Sequence, residues 1–519
     1  MNYRFIALLS ISIILIISCT NDKKEETSPI VMHTSDSPSP KVILLVVDSL
    51  MDKPLKKAIQ DDKAPALEFF LKHGQYSNEL VSSYPTMSVT IDSTLLTGTN
   101  PDRHKIPGLV WYKEDEKQII SYGNGFLETL KYGVTNMAQN SLSQYNNADL
   151  DKNVKTIHEE LDENGKQTAS INAVIYRGNY KHILKIPKIL AKTTSLPAQY
   201  KTNGPEILSL GDFISLDPEN NHVINRLGLN DAFAAQELKY LLINDLLPEF
   251  TILYMPENDH TVHRKGPMAT KGIEKLDKHL QEVLNVYPSW EDALDNVIWI
   301  VMGDSSQSAV KKNKKKALID LRESLSNYNV LKLGETVDKN NEIVITANER
   351  MSYVYKINEE ISIKKIASKL QADSRIAWIA WKNNEMVQVI SEGHKGILQF
   401  KPGGPYKDIY NQTWSINGNH DILDLDIDEH YQISYRNYPD GLSRLYGAIH
   451  SQKGDFLIAD AKPGYEFIGE SSPEHAGGGA HGSMHKDDSL IPLIITGTDK
   501  GIKHLRIVDL KSWILEILE

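Results

Sequence analysis

The sequence predicts an α/β fold, a mostly parallel sheet sandwiched by helices, with an inserted α+β subdomain. Three observations carry this reading. First, continuous apolar runs of strand length recur: VILLVVDS after Lys41, then Thr168 to Tyr176, Phe250 to Asp259, Asn296 to Ser305, Asp455 to Ala461 and Ser489 to Gly497. Runs without alternation are the pattern of strands buried on both faces, as in parallel sheets. Second, helical periodicity fills the gaps. Between Thr270 and Val286, residues Ile273, Leu276, His279, Leu280, Val283 and Leu284 share one face. Third, from about Ala317 to Leu445 the rhythm shortens to alternating segments, Met351 to Ile357, Ile376 to Trp381 and Met386 to Ser391, which predict antiparallel strands.

The expected organisation follows from these elements. Residues 41–316 form the first part of the core, 317–445 the inserted subdomain and 446–519 the C-terminal part of the core. The stretch Gly108 to Asn164 is more weakly patterned and reads as a smaller insertion.

Composition narrows the function. With 519 residues, 40% hydrophobic and 24% charged, the chain can bury a large core and is too polar to span a membrane many times. A net charge of −11, with no long basic run, excludes a nucleic acid polymer as partner. The cluster Lys311 to Lys316 reads as a solvated helix start. Near the N-terminus, Arg4 precedes an apolar run from Phe5 to Ile17, closed by Ser18-Cys19. That run is too short to cross a hydrocarbon core of about 30 Å comfortably. IISC resembles the bacterial lipoprotein cleavage signal, which implies a signal peptide over 1–18 and lipidation at Cys19. Residues 19–40 then read as a disordered tether, and the protein as exported and lipid-anchored to the outer face of a bacterial membrane. Cys19 is the only cysteine, so no disulfide forms within one chain.

Three apolar runs end in aspartates, Asp48, Asp259 and Asp304. Ligands of open α/β sheets bind beyond the carboxyl ends of the strands, so the three predict one site, although any single one could cap a helix. Asp259 and His263, four residues apart, can reach one zinc ion. Ser88 follows Pro85-Thr86-Met87; a serine at a helix N-terminus could cap the helix or face an anion.

Taken in order, VVDS around Asp48, YPTMSVTIDSTLLTGTNPDRHKIPG from Tyr84, YMPENDHTVHRKGP from Tyr254, the strand ending at Asp304 and GGGAHGSMHKDDSLIPLIITG from Gly477 resemble the nucleotide pyrophosphatase/phosphodiesterase branch of the alkaline phosphatase superfamily. The resemblance implies an alkaline phosphatase-like core and Ser88 as the nucleophile. It implies two divalent metal ions: zinc on Asp259, His263 and His481, and zinc, manganese or magnesium on Asp48, Ser88 and Asp304. Neighbouring His260, His475 and His485 are left at the surface or behind the ligands. Two departures stand out. Ser305 takes the place of an expected histidine, followed by Ser306 where a glycine is expected, so Ser305 is a replaced or weak ligand. Ile91 takes the place of an asparagine that donates to a phosphoryl oxygen. The activity implied is hydrolysis of a phosphate ester outside the cytoplasm, with a catalytically impaired surface protein of the same fold as the alternative. Sulfate-ester hydrolysis is disfavoured, because residues 84–98 contain no C/S-x-P-x-R motif. Among the aromatics, Trp111 and Tyr112 are the expected contacts for an organic substituent of the substrate. The substrate and the oligomeric state are left open.

Overall fold

The computed structural model describes residues 40–220 and 226–519. The signal peptide, Cys19 and all but the last residue of the expected tether lie outside the described residues. The central sheet is built from β1 (Lys41–Val47), β2 (Gln75–Val81), β3 (Thr168–Ile171), β4 (Ile207–Ser209), β5 (Phe250–Met255), β6 (Val297–Gly303) and β7 (Leu490–Thr496). Their order is β2-β7-β6-β1-β5-β3-β4. β1 pairs in parallel with both β6 and β5, and β3 with β5 and β4. β7 runs antiparallel to β6 and β2. The parallel sense expected for Ser489 to Gly497 is thereby corrected: an unbroken apolar run reports burial on both faces, not direction.

Burial explains the unbroken apolar runs. Val42, Leu44 and Val46 enter a core with Ile91, Leu95, Ile507 and Leu510 on one face. Ile43, Leu45 and Val47 pack against Leu55, Phe70, Leu276 and Leu280 on the other. The amphipathic helix predicted from Thr270 is Lys271–Leu284, with its apolar stripe buried.

A second, nine-stranded sheet carries the predicted antiparallel segments, Met351–Lys356, Ile376–Asn383 and Met386–Ser391. Phe456–Ala461, expected as a parallel strand of the core, lies inside this sheet, antiparallel to Met351–Lys356 and to Ile376–Asn383. Its Phe456 and Ile458 face one apolar cluster and its Leu457, Ala459 and Ala461 another. Such a strand is indistinguishable by pattern from one in a parallel sheet. Within the weakly patterned stretch after Gly108, a short hairpin, Val110–Lys113 with Gln118–Ser121, precedes a run of helical turns. Among the described residues, no helix is long and apolar enough to cross a membrane.

Candidate active site

The site forms where β1, β5 and β6 end. Helix α1 (Ser88–Thr97) brings Ser88 to its first turn, and helix α2 (Glu257–Lys265) brings Asp259 and His263. Helix propensity does not explain α1, whose sequence SVTIDSTLLT is rich in β-branched and hydroxyl residues. Burial does: every residue from Val89 to Thr97 is buried, and Ser93, Thr94 and Thr97 donate their hydroxyl hydrogens to the carbonyls four residues back. Gly98, at φ 64°, takes the left-handed conformation that ends the helix, and its N–H donates to Thr94 O.

Asp259, His263 and His481 converge, with ligand atoms within 4.8 Å of one another. Asp259 Oδ1 lies 3.1 Å from His263 Nε2 and 3.7 Å from His481 Nε2. His263 Nδ1 is 2.9 Å from Gly479 O, and His481 Nδ1 contacts Thr86 O. A carbonyl can only accept, so both Nδ1 atoms carry a proton and both Nε2 atoms are turned toward Asp259, the orientation in which each could ligate a cation. Without a cation present, burial opposes charge on Asp259 and His263. Even so, His263 and His481 hold Asp259 well below the carboxylate range, and Asp259 and Glu349 carry His263 up to about 10.

The second half of the site is all oxygen. Tyr254 donates its hydroxyl to Asp304 Oδ2 at 3.2 Å and also faces Asp48 and Ser88, so it sits among all three. Ser49 N–H and Ser305 N–H both donate to Asp304 Oδ1, at 2.8 and 2.6 Å. Burial, then the charges of Asp304 and Asp259, push Asp48 well above its ordinary value. Ser305 is fully buried, with its Oγ 3.4 Å from Ser49 Oγ. Ser306 donates its hydroxyl to Leu490 O, away from the carboxylates. His475 stacks on the His263 ring at 4.2 Å with Nδ1 on Glu466, while His260 is exposed and His485 accepts from Asp487 N–H.

The two expected substrate aromatics are not exposed. Trp111 packs into the core beneath α1, and Tyr112 lies 5.6 Å from the Tyr355 ring, both nearly free of solvent. Ile91 likewise points into the core and has no access to the site.

Residues 42–484 match the sequence family described as Type I phosphodiesterase / nucleotide pyrophosphatase. The chain belongs to that family. No curated protein matches the sequence at a significant level. Among solved structures, murine ectonucleotide pyrophosphatase / phosphodiesterase 5 is 13% identical with a TM-score of 0.53, over 92% of this chain and 95% of that chain. The human protein of the same name is 12% identical with a TM-score of 0.53, over 92% and 94%. An inactive variant of the murine protein, solved with AMP, gives 13% and 0.52 over 92% and 95%. At this identity the likeness is one of fold, an alkaline phosphatase-like α/β core.

The phosphodiesterase family is metal-dependent, and the residues present fit such ions. Asp259, His263 and His481 offer one oxygen and two correctly oriented imidazoles. On the other side, Asp48 Oδ1 is buried with no hydrogen-bond partner, an orphan that a cation would satisfy.

Several residues at the site escape sequence reading. Ser49 donates its hydroxyl to Asp259 Oδ1 at 2.8 Å, and Gln307 Nε2 donates to the same oxygen at 2.7 Å. Glu349, in the turn between two strands of the second sheet, accepts from His481 N–H at 3.0 Å, and its Oε1 lies 3.6 Å from His263 Nε2. Tyr254 stood inside a quoted motif, and its place five residues before Asp259 was the available signal. Glu349 gave none, since folding alone brings the insertion to α2.

Proposed function

We propose that the protein is an exported, membrane-anchored, metal-dependent phosphoric-ester hydrolase with Ser88 as nucleophile. The observation that carries it is the meeting of Ser88, at the start of α1, with Tyr254, Asp48 and Asp304, beside the group Asp259, His263 and His481. Divalent cations, when bound, supply Lewis-acid stabilisation of phosphoryl oxygens and favour the ionised serine. Ser88 Oγ attacks phosphorus, the bond to the leaving oxygen breaks, and the serine proton passes through solvent to that oxygen. Water then hydrolyses the phosphoserine and restores the hydroxyl. The N-terminal end of α1 favours the anionic ester. Nucleotide esters are a fitting substrate class, given the AMP complex of a structural neighbour. The lipid anchor on Cys19 would place the reaction at the outer membrane face.

The test is hydrolysis of mono- and bis-nitrophenyl phosphate with zinc, manganese or magnesium, beside Ser88→Ala. Metal-dependent turnover that disappears in the variant supports the reading, and the preferred ester sets the class. Turnover no higher than the variant with every cation overturns it. The outcome would then favour a surface protein that binds without turnover, a reading supported by Ser305 in the imidazole position and by the three donors already crowding Asp259 Oδ1.

A further inference from the structure

Two groups of possible ligands share His263: Asp259, His263 and His481, and His263, Glu349 and His475. Glu349 is buried in the turn that joins Ile343–Asn348 to Met351–Lys356, and so reaches the site from the second sheet. Its two oxygens are divided. Oε2 accepts from His481 N–H at 3.0 Å, while Oε1 lies 3.6 Å from His263 Nε2 and 3.9 Å from His481 Nε2. Asp259 Oδ1 faces the same two nitrogens, at 3.1 and 3.7 Å. Donor atoms around a tetrahedral zinc, with bonds of about 2.0–2.1 Å, stand about 3.3 Å apart. Four of the six edges of such a tetrahedron are therefore close to the required length. His475 is committed elsewhere: its Nδ1 lies 2.9 Å from Glu466 Oε2, its backbone N–H donates to Glu466 Oε1 at 2.7 Å, and its ring stacks on that of His263. His263 has one nitrogen to offer, since Nδ1 is turned to Gly479 O, so it can serve one cation only. Charge favours the same position. Two carboxylates and two neutral imidazoles balance the two charges of zinc and leave a buried site neutral, whereas Asp259 alone leaves it positive.

We infer that Glu349, through Oε1, is a fourth protein ligand of the cation held by Asp259, His263 and His481. The site is then closed. Zinc there is a clamp that joins α2, the turn of His481 and the second sheet, and it takes a phosphoryl oxygen only as a fifth ligand. The inference rests on the metal-dependent reading above and changes what that reading expects of this cation, which with three protein ligands would keep an open position.

The experiment is zinc binding by the purified, metal-stripped full chain, measured by competition with a chelating dye for the native protein, Glu349→Gln and Glu349→Gly, together with anomalous diffraction from zinc-loaded native crystals. Gln keeps an acceptor for His481 N–H, and Gly suits the backbone at φ 54°, so the two variants guard against misfolding by different routes. The native chain should bind zinc at this site at least about tenfold more tightly than either variant, with Oε1 about 2.0–2.2 Å from the ion. Equal affinity in the native chain and folded Glu349→Gln overturns the inference, because a residue that only orients His481 would be replaced by Gln without loss. Oε1 more than about 3 Å from a zinc held by the other three residues overturns it as well. Zinc bound through Glu349 in a chain with no turnover would sink the hydrolase reading and leave the ligand standing. Turnover with a zinc that Glu349 does not touch would do the reverse, and a native chain that binds no zinc would overturn both.

Discussion

Arg350 is the largest buried charge beside the site, and truncating it to Met has a calculable result. Its guanidinium pairs with Asp488, both side chains being wholly enclosed, and it donates to Ser308 Oγ at 2.6 Å and to Ala461 O at 3.1 Å. The Arg350 N–H donates to His481 O at 2.9 Å, so the pair ties the second sheet to the turn that carries a predicted ligand. Breaking a buried pair by removing one partner costs about 3–5 kcal/mol. Here the lower end applies. Burial already raises Asp488 to about 6 with Arg350 present, so the variant's carboxyl becomes neutral near pH 7 instead of remaining a bare charge. It also keeps the Ser483 N–H and the Ser308 hydroxyl. A loss of ~3 kcal/mol is therefore expected. Unfolding of a 519-residue chain as one unit carries an entropy of about 1 kcal/mol/K, so the melting midpoint should fall by about 3 °C. The sign of the pH effect is fixed as well. A carboxyl whose folded value is raised binds more protons folded than unfolded, so its contribution falls as pH rises toward that value. The deficit of Arg350→Met should thus be smaller at pH 6 than at pH 8. Arg350→Met with Asp488→Asn should recover about half or more of the loss. Urea denaturation at both pH values measures all three quantities. A single-variant loss below about 1 kcal/mol, or a double variant no better than the single, refutes the reasoning.

Two further outcomes are expected. Ser49 occupies φ 55°, a conformation that favours glycine, and its side chain fills the space beside Ser305. Ser49→Gly with Ser305→His should therefore raise zinc affinity at the second site by about tenfold or more, measured by competition with a chelating dye, while either change alone gives less; no gain in the double variant would show that the missing imidazole is not what limits zinc there. His104 and His158 are buried and lowered to about 3, so the unfolded chain takes up protons that the folded chain refuses. Stability should be intact above about pH 6.5 and fall as pH drops toward 3, by up to ~1.4 kcal/mol per pH unit for each histidine. Equilibrium unfolding from pH 7 to 4 checks the slope, which should flatten in His158→Gln.

How much of this was legible in the sequence depended on whether one segment or two had to be known. β1, β5 and β6 each announce themselves as apolar runs closed by a carboxylate, because a strand buried on both faces needs no partner to be recognised. The same independence hides direction and membership. Leu490–Thr496 is antiparallel and Phe456–Ala461 belongs to another sheet, yet both carry the signal of a parallel core strand. The site divides along the same line. Asp48, Ser88, Asp259, His263, Asp304 and His481 lie in short motifs whose spacing is local, and the structure brings them together at one rim. Glu349 and Gln307 reach α2 only through long-range packing, and no local pattern marks them.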